Sequence, residues 1–170
     1  METYLLFWPQ FYTATFLEWK HLLKPDKNKQ VIIDSLRYLV NEKKITLYAF
    51  VLMGNPIHLI WQALSGSTPE KIQLSCMKFT AQQIKFDLIK NHPLVLAQFK
   101  VNAKDREYQF WERNSLAIDL YTHDVFMQKL DYIHWNPVKA GLCNFPEEYY
   151  FSSAKYYHTG IDDFGILTHC

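Results

Sequence analysis

The sequence predicts an α+β fold of the split β-α-β type, a twisted antiparallel sheet with helices packed on one face. Three observations lead there. Tyr48–Leu64 (YAFVLMGNPIHLIWQAL) places two apolar runs around the breaker Gly54-Asn55-Pro56-Ile57, which reads as a buried β-hairpin. Strand-like and helix-like segments alternate on both sides of that hairpin, in the order strand, helix, strand, strand, helix, strand, helix. The chain has 170 residues with no internal repeat and no linker, which predicts a single domain over 1–170. Its core is expected over about 11–157, with a C-terminal tail over 158–170.

The first strand is expected at Phe11–Leu17, where aromatic and β-branched residues cluster; Tyr4–Trp8 could extend it but for the interruption at Pro9. Asn28–Glu42 follows helical spacing, with Val31, Ile32, Ser35, Leu36, Leu39 and Val40 on one side. The hairpin strands are Thr46–Met53 and His58–Ala63; the first is apolar on both faces, as a central strand covered on two sides would be. Thr68 before Pro69 is a good helix start, and the long helix Pro69–Lys90 is expected to bury Ile72, Cys76, Phe79, Gln83 and Phe86. Residues 91–107 show no clear period, and Tyr108–Trp111 reads as a short strand. Thr122 or Asp124 caps a last helix that Asn136-Pro137 is expected to end, because a residue before proline is pushed out of the helical region.

Composition excludes several classes. Lys and Arg number 18 against 17 acidic residues, so any nucleic-acid surface must be a local patch. The three cysteines, Cys76, Cys143 and Cys170, form no CxxC pair, which argues against a disulfide framework or a zinc cluster and fits a cytoplasmic protein. No stretch is long and apolar enough to span a bilayer, and the N-terminus lacks the pattern of a signal peptide, so no membrane partner is expected.

Two residues carry the strongest chemical signals. His58 opens the second hairpin strand, although a lone strand histidine more often serves packing than catalysis. Tyr132 lies between Gln128 and Asn136 at four-residue spacing, a polar stripe along an otherwise apolar helix. A phenol can attack phosphorus when a cation lowers the barrier, and an amide oxygen can join an imidazole on a metal. The plainer reading is a hydrogen-bonded tyrosine with Asn136 as a helix cap. His134, two residues beyond Tyr132, projects to another side of the helix.

LYAFVLMGNPIHLIWQ and KLDYIHWNPVKAGLCNFPEEYYFSSAKYY resemble, in order and spacing, the two signature regions of the single-tyrosine HUH transposases, of the REP-associated and insertion-sequence type. VIIDSLRYL, KFTAQQI and YQFWERN are similar to further family segments, so the resemblance spans most of residues 11–157. It implies a ferredoxin-like palm that nicks and rejoins single-stranded or hairpin DNA through a 5′-phosphotyrosine, with Mg²⁺ or Mn²⁺ on the scissile phosphate. By position, Tyr132 matches the nucleophile, and His58 and Asn136 match metal ligands. Lys78, Lys85 and Arg113 are the candidate DNA contacts, and a homodimer is as compatible as a monomer. One departure stands out. Where the family carries the first metal histidine this chain has Pro56, which offers no donor, so activity is expected to be impaired or lost. The alternatives are a catalytically inactive DNA-binding protein of the same fold, or a structural domain without a nucleic-acid role.

Overall fold

The computed structural model describes residues 6–170 and runs β1 (Gln10–Ala14), α1 (Asp26–Asn41), β2 (Ile45–Leu52), β3 (Ile57–Ala63), α2 (Pro69–Asn91), α3 (Pro93–Ala97), β4 (Leu116–Asp119), α4 (His123–Lys139) and α5 (Ala154–Thr159). The four strands form one antiparallel sheet in the order β2-β3-β1-β4. This is the α+β class expected. Of the possible extension Tyr4–Trp8, residues 4 and 5 lie outside the described residues and 6–8 are not strand.

The helices occupy both faces of the sheet, a correction to the one-faced arrangement. On one face, Ile32, Ile33 and Leu36 of α1 and Ile72, Ile84 and Leu88 of α2 pack on Tyr12, Leu47, Phe50, Leu59 and Trp61. On the other, Phe126, Leu130 and Ile133 of α4 cover Phe11, Ala49, Val51 and Ile60. The reason is strand composition: β1, β2 and β3 are apolar at consecutive positions, so each face needs its own cover. A bulge between Leu47 and Ala49 shifts the alternation of β2, placing Leu47 and Phe50 on the same face although they are three apart.

β2 is an edge strand rather than a central one. Its outer edge is closed by the C-terminal segment: Leu52 N–H donates to the Phe151 carbonyl, Ser153 N–H to Phe50 and Thr168 N–H to Leu47. Phe164 and Ile166, within the segment expected as a tail, are buried in the core. The exposed edge problem is thereby met by covering.

In α2 the buried stripe is Ile72, Cys76, Thr80, Ile84 and Leu88, four apart, while Phe79 and Phe86 are exposed and Gln83 is on the surface. Thr80 fits inside because its hydroxyl donates to the Cys76 carbonyl and accepts the Trp111 indole N–H. The two possible stripes make opposite predictions. Ile84→Ala is expected to cost about 2–5 kcal/mol, and Phe86→Ala to stay within about 0.5 kcal/mol; urea midpoints of the two variants check this.

The strand expected at Tyr108–Trp111 is only a pair of isolated bridges, Lys100 to Tyr108 and Phe16 to Trp111. The fourth strand falls instead at Leu116–Asp119, beside β1. α4 also runs past Pro137 to Lys139. Proline lies in the last turn, where its missing N–H costs one bond, and the helix still closes through Ala140 N–H to the Asn136 carbonyl. Among the described residues no helix is long and apolar enough to cross a membrane.

Candidate functional site

The hairpin turn is built first, because it sets where His58 begins. Asn55 is buried, and its side-chain oxygen accepts the Phe16 N–H while its amide donates to the Lys20 carbonyl. The turn is thus tied to the loop after β1 rather than left free. Gly54 lies close under His21: a Cβ there would stand 2.6 Å from His21 Nδ1, so a larger residue obliges that exposed side chain to shift.

From that turn β3 carries His58 between Val51 on β2 and Thr13 on β1, so Val51, His58 and Thr13 form one row across the sheet, continued by Leu116 on β4. His58 Nδ1 lies 2.8 Å from the Thr13 hydroxyl. Its ring stacks on Phe11, with centroids 5.7 Å apart. Burial, and then the nearby positive charge of Lys129, push the His58 pKa down to about 4. At neutral pH the imidazole is therefore uncharged.

α4 crosses above this row. Its seam of Phe126, Leu130, Ile133 and Pro137 is buried, which leaves two flanks with different tasks. On one flank Tyr132 stands edge-on to His58 at 5.3 Å between centroids, and edge-on to Phe11 at 5.8 Å. Tyr132 is 42 % exposed, so the phenol is supported on one side and open to solvent on the other. Lys129, one turn earlier on this flank, holds Nζ 4.9 Å from the Phe11 ring centre and 5.9 Å from that of Tyr132. Asn136, one turn beyond Tyr132, is half-buried, and its side chain makes no hydrogen bond among the described residues. On the opposite flank His134 Nε2 lies 2.8 Å from Ser153 Oγ, which also accepts the Phe50 N–H. Burial holds the His134 pKa at about 4. That histidine fastens α4 to the C-terminal segment and stays away from Tyr132.

The structure thus brings His58 and Tyr132 into ring contact, with Asn136 on the same flank of α4. It does not bring Lys78 and Lys85 there: both lie on α2, across the sheet, and Lys85 Nζ sits 5.3 Å over the Tyr108 ring. Arg113 is exposed in the loop leading to β4, three residues before Leu116. The sequence reading missed Lys129, Thr13 and Phe11. Lys129 could have been found from its three-residue spacing to Tyr132 on a helix; Thr13 and Phe11 needed the strand register.

The donors around His58 do not make a divalent-cation site of the expected kind. Mg²⁺ and Mn²⁺ favour several oxygen ligands, carboxylates above all. Here a single imidazole, with Nδ1 bonded to Thr13, has only Nε2 to offer, Pro56 supplies nothing, and the ammonium of Lys129 adds positive charge nearby. Among the described residues no three His, Cys, Asp or Glu side chains are grouped to hold a metal.

A cleft of about 660 Å³ opens beside the turn, lined by His21, Lys24, Lys29, Met53, Leu142 and Tyr149 among others. Lys29 is buried there, its ammonium donating to the Lys24 carbonyl and the Asp26 carboxylate. Cationic side chains thus meet an aromatic and apolar wall next to the Gly54-Asn55 turn.

No family model matches this chain, and no curated protein matches it. Among solved structures it is similar to a REP-associated tyrosine transposase bound to a REP hairpin, with a TM-score of 0.65 over 100 % of this chain and 90 % of that one. Sequence identity is 16 %, so the likeness is one of fold.

Proposed function

We propose that this protein binds DNA carrying a hairpin or an unpaired strand, and presents the Tyr132 face to a phosphodiester without efficient metal-assisted nicking. The observation that carries the reading is the contact of His58 with Tyr132, 5.3 Å between ring centres, in a fold whose solved neighbour holds a DNA hairpin. With Pro56 beside it and no group of three His, Cys, Asp or Glu side chains among the described residues, His58 is one imidazole donor where a divalent ion needs several. The exposed side chains of Lys24, at the cleft beside the turn, and of Arg113 offer further candidate phosphate contacts.

A second reading, an active strand transferase with Tyr132 as nucleophile, draws support from the same tyrosine, half-open to solvent and braced by two rings. One experiment separates them. A labelled hairpin oligonucleotide with unpaired flanks is incubated with the protein and Mn²⁺, then resolved on native and denaturing gels. The first reading expects salt-dependent binding and no covalent adduct, with an adduct appearing in Pro56→His and vanishing in Pro56→His/Tyr132→Phe. A Tyr132-dependent adduct from the unsubstituted protein would establish the second. Failure to bind any DNA would remove both.

A further inference from the structure

The site holds a positive charge where the expected metal donors fall short. We infer that Lys129 is a phosphodiester-binding residue, its ammonium supplying beside the Tyr132 ring the positive charge that a divalent ion would otherwise bring.

Three observations support it. Lys129 Nζ is held over two rings, 4.9 Å from the Phe11 centre and 5.9 Å from that of Tyr132, so it is positioned over the site rather than extended into solvent. It takes part in none of the ion pairs found among the described residues, so no carboxylate of those residues pairs with its charge. Beneath it His58 is buried, its ring stacked on Phe11 and edge-on to Tyr132, so the floor under the ammonium is made of rings and carries no carboxylate. A single ammonium above a neutral aromatic floor attracts an anion, and the open side of Tyr132 gives a strand a way in.

The chemistry also limits what this arrangement does. Lysine binds phosphate as a compact point charge with three rotatable donors; it does not act as a Lewis acid on the scissile oxygen. Binding and orientation of a phosphodiester therefore persist where metal-assisted displacement is weak. The consequence is a DNA affinity that does not depend on divalent ions.

This inference rests on the DNA-binding reading, and two measurements keep their failures apart. The first measures affinity for a fluorescein-labelled DNA hairpin with unpaired flanks across a salt series, in EDTA and in Mg²⁺. Affinity is expected to be equal in the two buffers. Lys129→Gln is expected to weaken it about fivefold to tenfold and to lower the slope of log K against log salt by about 0.7–0.9, while Lys129→Arg keeps most of both. Loss of binding in EDTA, or an unchanged salt slope in Lys129→Gln, overturns the inference.

The second measurement needs no DNA. Dimethyl phosphate is titrated into ¹⁵N-labelled protein, with the expectation of shifts in the amides of α4 around Lys129 and Tyr132 that Lys129→Gln abolishes. Shifts without hairpin binding would leave the phosphate site standing and remove only the DNA reading. No shifts at α4 in the unsubstituted protein overturn the inference itself. Thermal melting of Lys129→Gln, expected to match the parent because Lys129 lies at the surface edge of the helix, excludes misfolding as the cause.

Discussion

Deleting residues 162–170 is expected to destabilise the protein by about 3–6 kcal/mol, from two side chains worth roughly 1.5–3 kcal/mol each when fully buried. The side chains are Phe164, 8 % exposed, and Ile166, 3 % exposed. Phe164 stands edge-on to Phe50 at 5.3 Å, so its loss would open the core beneath β2. Backbone bonds go with them: Thr168 N–H to Leu47, and the Asp162 carboxylate that accepts the Phe164, Ile166 and Leu167 amides. A loss of this size is comparable to the whole stability of many domains, roughly 5–15 kcal/mol. Urea unfolding measures it, and Phe164→Ala alone should account for about 3–5 kcal/mol of cavity and transfer cost. An unchanged midpoint in both variants would show that the segment is a loose tail after all.

The second large effect is acid sensitivity. His58 and His134 each have a folded pKa lowered from 6.5 to about 4 by burial. Lowered folded values mean that the unfolded chain binds these protons first. The stability contributed by keeping both rings neutral is therefore complete above pH 6.5, and it is lost as pH falls from there towards 4. Each histidine is expected to remove about 2 kcal/mol between pH 7.5 and pH 5. Thermal or urea midpoints across that window check the sum. His134→Gln, which can still bond Ser153, should remove about half of the pH dependence; a flat profile in the parent protein would refute the burial of both rings.

The two effects have a common source. Ser153 accepts the Phe50 N–H and meets His134, while residues 151–153 and 168 close the edge of β2. The C-terminal segment therefore fixes α4 from one flank, and α4 presents Tyr132 and Lys129 from the other. Support for the candidate site comes from a part of the chain that has no chemistry of its own.

Much of this was legible in the sequence, and local physics explains which parts. The hairpin at Gly54-Asn55 was visible because turn chemistry and a break in hydrophobicity coincide within a few residues. α1 was visible from its helical period, and α2 from the start signal at Thr68 and Pro69. Tyr132 and Asn136 were visible as a polar stripe, since four-residue spacing on a helix is a local property. The resemblance to the single-tyrosine transposases pointed to the same fold, and the fold is what the solved neighbour shares.

What was not legible depends on contacts between distant segments. The α2 stripe ran through Phe79 and Phe86 on hydrophobicity, but the buried one runs through Thr80 because Trp111, 31 residues away, satisfies its hydroxyl. β4 has too little apolar pattern to announce itself, and pairing with β1 makes it a strand. β2 reads as central by composition, yet its neighbour on one side is an irregular segment a hundred residues later.

The sequence by itself determined the α+β class, the hairpin, the polar stripe around Tyr132 and the absence of a donor at Pro56, because each follows from nearest-neighbour chemistry along the chain. Only the tertiary structure decided that helices cover both faces of the sheet, that Thr13 holds His58, and that Lys129 stands over Phe11 and Tyr132. Those facts depend on register across strands and on the rotation of one helix against the sheet, which no single segment encodes.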